Sequence, residues 1–204
     1  MLKKFMKAMR NLHRDTRGMT GLETAIILIA FVTVAAVFGY AVLSAGLFSA
    51  ERGKETIYAG LKTAQSNLEV SGSVIAKSTD NVTVSNILIT VKNAVAGQPI
   101  DMTPCDGTAN ATNKTVISLG TSSEYLNNIK WTKTALGAAN SNNLLETGEQ
   151  FEININTADL GGTALVNGIE ANGKFSVQIK PALGSTITVM RSLPGALEPT
   201  MDLH

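Results

Sequence analysis

The residues that most often perform acid–base, nucleophilic or metal chemistry are scarce in this chain of 204 residues. Its two histidines are His13, near the start, and His204, the last residue. Its single cysteine, Cys105, allows neither an intrachain disulfide nor a multi-cysteine zinc site. Catalysis by Ser/His/Asp or Cys/His arrangements needs an imidazole held inside a packed domain. The sequence therefore predicts neither a catalytic triad nor a zinc centre.

Three further patterns could bind a phosphate, bind a cation or move a proton. The segment Gly53-Lys54-Glu55-Thr56 lacks the first glycine of a P-loop and the hydroxyl that must follow the lysine. The loop from Asp101 to Asp106 could hold calcium, but it lacks the alternating ligands of an EF-hand, and a solvated turn is the favoured interpretation. Glu149 and Glu152 resemble the paired carboxylates of a hydrolase, without a recognisable site pattern. We therefore expect no enzyme and no cofactor.

Charge is distributed unevenly along the chain. The first 18 residues contain six lysines and arginines against one aspartate and carry a charge of +5, which leaves −4 on the other 186 residues. A basic end on an acidic body is typical of a targeting segment and not of a nucleic-acid-binding surface.

A long uncharged run follows the basic end. No charged residue occurs between Glu23 and Glu51, so residues 24–50 form a run of 27 uncharged residues. At about 1.5 Å per residue, a helix of this length exceeds the roughly 30 Å hydrocarbon core of a bilayer. It is also about twice as long as the apolar part of a secretory signal, so we expect the mature protein to retain it. The positive-inside rule places residues 1–17 in the cytoplasm and the body outside the cell.

The junction between these two segments reads Arg17-Gly18-Met19-Thr20-Gly21-Leu22-Glu23. It resembles the class III signal of type IV pilin-like proteins. The resemblance implies that a membrane aspartic peptidase cleaves the Gly18–Met19 bond, so that residues 1–18 are a signal peptide. Met19 is then the first mature residue and Glu23 the fifth, where pilins commonly place a glutamate. The alternative is an ordinary single-pass anchor, in which Gly18 and Glu23 are incidental.

The carboxylate of Glu23 borders a helix of membrane length and needs a cation nearby. The α-amino group that cleavage exposes on Met19 is the expected partner, from the same or a neighbouring subunit. Within the superfamily, the Met-Thr-Gly-Leu-Glu sequence and the Ile/Leu/Ala/Val run after it look most like archaeal flagellins (archaellins) over residues 14–50.

This resemblance implies a structural subunit of the archaellum, an extracellular filament used for swimming. The subunit would polymerise, alone or with other archaellins, through its N-terminal helix. The implied partners are the prepilin-like peptidase, an assembly ATPase with its membrane platform, and a glycosyltransferase. An archaeal adhesion pilin shares the glutamate and stays an alternative. A membrane-anchored binding or sensor ectodomain that never polymerises is another.

The helix is predicted to continue beyond the uncharged run. Apolar residues at heptad-like spacing extend it to Leu68 and leave a polar remainder on its second half. We therefore expect residues 19–68 to form one helix, whose apolar half builds the filament core. Gly39 and Gly46 lie seven residues apart, a spacing that permits close contacts between helices. The residues of the stripe are Leu43, Leu47, Ala50, Ile57, Leu61, Ala64 and Leu68.

From Val70 onward the apolar residues alternate, as they do in half-buried strands. Residues 69–204 are therefore predicted to form an antiparallel β-sandwich of immunoglobulin-like type with seven or eight strands, which makes the whole chain α+β. Trp131, Tyr125 and Phe151 are expected in its core and not on a carbohydrate-binding platform. The predicted strands lie at 74–76, 82–84, 87–91, 116–119, 129–132, 151–155, 175–179 and 187–190.

Three sequons could accept an N-linked glycan, at Asn81, Asn110 and Asn113. Extracellular placement of the domain gives these short motifs more weight. Asn110 and Asn113 fall in a predicted loop, whereas Asn81 begins a predicted strand, so the sequence favours the first two.

Overall fold

The computed structural model describes residues 6, 17–108, 111–140, 142–162 and 165–203. The chain divides into a first compact unit that ends at Ile57 and a second that begins at Tyr58. One long helix contributes to both units, and all of the β-structure belongs to the second.

The helix α1 spans Arg17–Gln65 and contains 49 residues. At about 1.5 Å per residue it is about 70 Å long. Its length has a simple origin, because no proline occurs in the chain before Pro99 and alanine, with seven of 27 residues, is the most frequent residue of the uncharged run. By length and composition, the part Gly21–Gln65 is able to cross a membrane.

The helix ends three residues before the predicted position, because polar side chains cap its last turn. The hydroxyl of Ser66 donates to the carbonyl of Lys62 at 2.8 Å, and Nδ2 of Asn67 donates to the carbonyl of Ala64 at 3.0 Å. Leu68, predicted to be helical, is instead a buried residue of the first strand. Its apolar side chain fits the helical stripe and the β-core equally well, so spacing alone could not decide its place.

The helix end is joined directly to the β-domain. Oδ1 of Asn67 accepts hydrogen bonds from the backbone N–H and the hydroxyl of Ser185, at 2.8 and 3.0 Å. The carbonyl of Asn67 accepts from the N–H of Ala94 at 2.9 Å. A Cβ on Gly184 would lie 2.0 Å from the carbonyl oxygen of Ser66, so only glycine allows this approach. We call these contacts the helix–sandwich joint.

Twelve strands follow within the described residues, more than the seven or eight predicted. They are β1 (Leu68–Val70), β2 (Val74–Ser78), β3 (Val84–Asn93), β4 (Ile100–Asp101), β5 (Val116–Thr121), β6 (Tyr125–Leu126), β7 (Thr132–Leu136), β8 (Leu144–Leu145), β9 (Gln150–Asn156), β10 (Lys174–Lys180), β11 (Ile187–Ser192) and β12 (Thr200–Leu203).

All strand pairs are antiparallel, and they form two main sheets. The first has the order β12-β2-β3-β9-β7, and the ten-residue β3 is long enough to pair with β1 as well as β2. The second has the order β11-β10-β5-β6, and β4 with β8 forms a small third sheet. The prediction of a long N-terminal helix followed by antiparallel β-structure is confirmed.

One hydrophobic core lies between the inner faces of the two main sheets. Every second residue of β9 and of β10 is buried, and the residues between them are more exposed. Buried side chains from both sheets belong to a single cluster. Each sheet therefore removes the apolar face of the other from water, and this burial stabilises the domain. The buried residues of these two strands are Phe151, Ile153, Ile155, Phe175, Val177 and Ile179.

One predicted strand, 129–132, is wrong, because β7 begins only at Thr132. Ile129 and Trp131 are buried in an extended connection before it. Their N–H groups donate to the carbonyls of Ile117 at 2.9 Å and Cys105 at 3.2 Å, outside any regular ladder. An extended connection that crosses the core alternates its side chains as a strand does.

The aromatic residues follow the prediction in two cases out of three. Trp131 and Phe151 are among the fully buried side chains, whereas Tyr125 is 56% exposed. Tyr125 lies on β6 at the sheet edge, and its hydroxyl donates to Oε1 of Gln178 at 3.2 Å. Its expected place in the core is therefore wrong.

Two loops of the sandwich approach each other closely at Gly107 and Gly161, and a substitution there tests this contact. Both have a positive φ, 79° and 94°, and a Cβ on Gly107 would lie 2.1 Å from the Cα of Gly161. We expect Gly107→Ala to lower the free energy of unfolding by about 3 kcal/mol, from left-handed backbone strain and overpacking together. Urea denaturation followed by the fluorescence of Trp131, the only tryptophan, measures this change.

Gly137→Ala is the matched control, because Gly137 has a φ of 63° but open space around its Cβ position. We expect it to cost only the backbone strain, about 1 kcal/mol. Equal costs for the two variants would show that the loops do not touch in solution.

Candidate assembly surface and modification sites

The first half of α1 is apolar on every side, and the chain does not cover it. The large apolar side chains from Leu22 to Phe48 are each between 55% and 75% exposed. A surface helix normally has a polar face, whereas a helix that is apolar all round lies inside a membrane or a protein core. An apolar environment from outside this chain must therefore surround the segment. Charged residues return at Glu51, so this surface spans residues 22–50, with Glu23 at its start as the one charged residue.

A row of glycines runs along the same helix. Gly39, Gly46, Gly53 and Gly60 are each seven residues apart, and a Cβ at any of them would meet no atom within 4 Å. Glycine inside a helix costs about 1 kcal/mol relative to alanine, and no contact in the described chain requires it here. Small residues allow two helices to approach closely. The predicted pair, Gly39 and Gly46, is therefore part of a row of four glycines whose spacing can be read from the sequence.

The second half of α1 carries exposed charges. Nη1 of Arg52 lies 3.0 Å from Oε2 of Glu55, and both side chains are about two-thirds exposed. The guanidinium of Arg52 also lies 5.2 Å from the ring centre of Phe48. Such an exposed ion pair contributes little stability, so these contacts do not account for the stability of the helix.

The predicted processing site lies at the start of the helix. Arg17, Gly18 and Met19 are the first three residues of α1, and Glu23 is an exposed residue of its next turn. The rest of the predicted signal peptide lies outside the described residues, apart from residue 6. An α-amino group on Met19 exists only after cleavage, so its pairing with Glu23 stays a prediction.

Of the two sequon asparagines among the described residues, Asn113 is the one that hydrogen bonds hold in place. Its Nδ2, the atom that would carry a glycan, donates to the carbonyl of Thr115 and to Oδ1 of Asn128, both at 2.9 Å. Thr115 is fully buried, and its hydroxyl donates to the carbonyl of Asp101 at 2.6 Å. Folding therefore places both functional groups of this sequon in internal hydrogen bonds. Asn110, the other favoured sequon, lies outside the described residues.

Asn81 lies at an exposed turn, not at the start of a strand as predicted. It has a left-handed φ of 56°, and β3 begins only at Val84. The turn is formed by Asp80, whose Oδ1 accepts from the N–H groups of Thr83 and Val82 at 3.0 Å each. These hydrogen bonds lower the pKa of Asp80. In the described part of the chain, no hydrogen bond involves the side-chain amide of Asn81.

The acidic loop uses its carboxylates for turns and an ion pair. Asp101 lies 3.0 Å from Nζ of Lys114 and accepts from the N–H of Thr103 at 3.0 Å. Asp106 accepts from the N–H and hydroxyl of Thr108, and these hydrogen bonds lower the pKa of Asp106. Within the described residues, no group of three or more His, Cys, Asp or Glu side chains is arranged to hold a metal ion. The carboxylates therefore close turns and hold an ion pair, but the expectation of a solvated turn is wrong, because Asp101 belongs to β4 and the side chains of Met102 and Cys105 are buried in the core.

Glu149 closes a turn and is not one half of a carboxylate pair. Its two oxygens accept from the N–H groups of Asn140 at 2.9 Å and Glu146 at 3.0 Å. These hydrogen bonds lower the pKa of Glu149. Glu152 lies within β9, between the buried residues Phe151 and Ile153. The two carboxylates therefore belong to different structural settings.

Comparison with known proteins matches these features to one family. The family model of archaeal-type flagellins matches residues 18–191. Probable flagellin 1 of Archaeoglobus fulgidus is 37% identical, over 93% of this chain and 96% of the relative. Probable flagellin 1 of Aeropyrum pernix is 30% identical, over 90% of this chain and 95% of the relative.

Solved structures show the same architecture. The archaeal flagellum of Methanospirillum hungatei matches 90% of this chain and 98% of its own, with a TM-score of 0.62 and 26% identity. Crystalline flagellin FlaB1 of Methanocaldococcus jannaschii shares the fold, with a TM-score of 0.53 and 12% identity over 67% of this chain and 95% of its own. The family match, the two relatives and the uncovered apolar helix agree: the chain belongs to the archaeal-type flagellin family and is a non-enzymatic structural subunit of the archaeal flagellum, the filament on the cell surface.

Proposed function

We propose that the chain is cleaved between Gly18 and Met19 and then polymerises through the apolar half of α1, with the β-sandwich outside the filament core. The observation that carries this proposal is the helix surface at residues 22–50, which is apolar on all sides and uncovered in the single chain. The membrane covers this surface in the precursor. Identical helices of neighbouring subunits cover it in the filament.

The free energy of assembly depends on what replaces the lipid around the apolar helix. Burying one Leu, Ile or Phe side chain contributes roughly 1.5–3 kcal/mol relative to water, and the segment contains more than a dozen large apolar side chains. These groups are already out of water in the bilayer, so leaving it is tolerable only if other helices take the place of the lipid. The four glycines at heptad spacing let those helices approach closely.

Processing and export follow from the two ends of this segment. The basic residues 1–18 hold the N-terminus of the precursor in the cytoplasm, where a prepilin-like membrane aspartic peptidase removes them. The new α-amino group then lies close in sequence to Glu23 and supplies the cation that this carboxylate lacks. An assembly ATPase and its membrane platform insert the mature subunit into the filament.

We further infer that Asn81, and not Asn113, accepts the glycan from a glycosyltransferase. Asn81 lies on an exposed turn with no hydrogen bond of its side-chain amide among the described residues, whereas both polar groups of the Asn113 sequon are engaged. A bulky sugar is compatible with an exposed turn and not with a buried threonine.

Cleavage of the signal peptide can be measured directly, because it lowers the mass of the assembled subunit. We expect mass spectrometry of surface filaments to find a mature N-terminus at Met19. Gly18→Trp should leave a precursor that retains residues 1–18 in the membrane, because a bulky side chain blocks the cleavage site, whereas Gly18→Ala should still be cleaved. Filaments built from the intact chain, Met1 to His204, would contradict the processing model.

The assembly surface is tested by a charge in its middle. Val34 is 56% exposed in the single chain, and the proposal buries it among neighbouring helices. An aspartate at the centre of an apolar helix costs about 3 kcal/mol, which the rest of the run offsets in the membrane. We expect Val34→Asp to give normal amounts of membrane precursor by immunoblot and no filaments by electron microscopy.

Val34→Leu, which keeps the surface apolar, should still assemble into filaments. Normal filaments from Val34→Asp would show that the helix is only an anchor, and the interpretation as a non-polymerising ectodomain would then lead.

Glycan attachment is tested by two matched variants. We expect Asn81→Gln to remove the mass of one glycan from the subunit, because the acceptor nitrogen is lost at an exposed turn. Asn113→Gln should leave the glycan mass unchanged and lower the stability of the sandwich by about 1–2 kcal/mol, through loss of two hydrogen bonds. Intact-mass measurement and urea denaturation separate the two effects. A glycan mass that disappears in Asn113→Gln and persists in Asn81→Gln would reverse the assignment.

A further inference from the structure

Two Asn-Gly dipeptides occur in the chain, Asn167-Gly168 and Asn172-Gly173, between β9 and β10. An asparagine side chain before a glycine can react with the next backbone nitrogen, because glycine has no Cβ to hinder the approach. The reaction requires that this nitrogen lose its proton and reach the side-chain carbonyl. How the structure holds each backbone N–H therefore decides which of the two dipeptides reacts.

Asn172-Gly173 is held by hydrogen bonds on both sides. The N–H of Gly173 donates to the carbonyl of Glu170 at 2.9 Å, and the N–H of Asn172 donates to the carbonyl of Pro194 at 3.0 Å. The carbonyl of Gly173 also accepts from the N–H of Leu193 at 2.8 Å. The nitrogen of Gly173 must break its hydrogen bond, and pull against two others, before it can act as a nucleophile.

Asn167-Gly168 is much less restrained. Asn167 is exposed, and in the described ranges neither its N–H nor that of Gly168 donates a hydrogen bond. The nearest restraints lie one residue away on each side. The N–H of Val166 donates to Oε1 of Glu124 at 2.8 Å, and the carbonyl of Ile169 accepts from the N–H of Val84 at 3.0 Å. Gly168 has a φ of 65° and a Cβ there would lie 2.9 Å from Cγ2 of Thr83, so a side-chain contact, and no backbone hydrogen bond, restrains the dipeptide between these two anchors in the described ranges.

We propose that Asn167 is a site of spontaneous covalent modification and that Asn172 is protected by its hydrogen bonds. The nitrogen of Gly168 gives its proton to hydroxide and attacks Cγ of Asn167. A bond between this nitrogen and Cγ forms, Nδ2 takes a proton from water, which restores the hydroxide, and the bond between Cγ and Nδ2 breaks as Nδ2 leaves as ammonia. Water then opens the five-membered succinimide at either carbonyl carbon and gives aspartate or isoaspartate. No oxidation or reduction occurs.

The modification places a new carboxylate in an acidic part of the loop. Glu124 holds the neighbouring residue Val166, and Glu170 follows three residues later. Lys174 is the nearest basic residue along the chain, at the start of β10. Each modified subunit therefore gains one negative charge where two carboxylates already lie, and like charges weaken the contact between Glu124 and the loop.

The experiment compares the two dipeptides within one molecule. The full-length chain in detergent micelles is incubated at mildly alkaline pH, and peptide mapping by mass spectrometry follows the conversion of each asparagine over time. We expect Asn167 to react about tenfold faster than Asn172, the factor that corresponds to one hydrogen bond broken before attack. The rate at Asn167 should rise with pH, because hydroxide removes the proton of the attacking nitrogen.

The same chain unfolded in urea is the control for intrinsic reactivity. We expect the two asparagines to react at similar rates there, so that the native difference is due to the fold. Asn172→Gln should leave the rate at Asn167 unchanged, and Glu124→Ala should raise it by releasing Val166. Equal rates in the native chain, or a native Asn167 that does not react while the unfolded chain does, would overturn the proposal.

Discussion

The rest of the molecule depends on one constraint, an apolar helix surface that the chain cannot cover by itself. Residues 22–50 expose large apolar side chains in every direction, and no polar face lets the helix lie against water. The segment must move from one apolar environment to another without a soluble stage between them. In the proposed function, a basic leader that keeps the N-terminus in the cytoplasm and a cleavage site at the border of the run serve this transfer. Gly39 and Gly46, the glycines that lie on this surface, serve its end point, because they allow close packing in place of lipid.

The β-sandwich differs from the helix because it has a core of its own. It has one cysteine and hence no internal disulfide, and its stability rests on one core shared by two sheets. Carboxylates that could suggest chemistry are used to close turns instead. Asp80, Asp106 and Glu149 each accept backbone N–H groups, and these hydrogen bonds lower the pKa of each carboxylate. In the proposed function, assembly and folding therefore depend on separate parts of the chain.

The sequence predicts those features that depend on local pattern and fails where distant contacts decide. The long helix follows from an uncharged run without proline, and the strands around Phe151 and Phe175 follow from alternation. The end of the helix does not follow from the pattern, because Leu68 fits both the helical and the strand pattern, and the contacts of Ser66 and Asn67 with Gly184 and Ser185 decide it. Loop prediction alone ranks Asn110 and Asn113 above Asn81. The contact of Asn113 with Asn128, fifteen residues away, is set by the fold and cannot be predicted from the spacing of residues in the sequence.

The helix–sandwich joint has a mechanical consequence. Only Ser66 and Asn67 separate the last helical residue from the first strand, and hydrogen bonds and the close approach of Gly184 fix both of them. No flexible linker can absorb strain at this point. Viscous drag on the sandwich of a turning flagellum therefore passes through Ser66 and Asn67 into the last turn of the helix, all within the second compact unit.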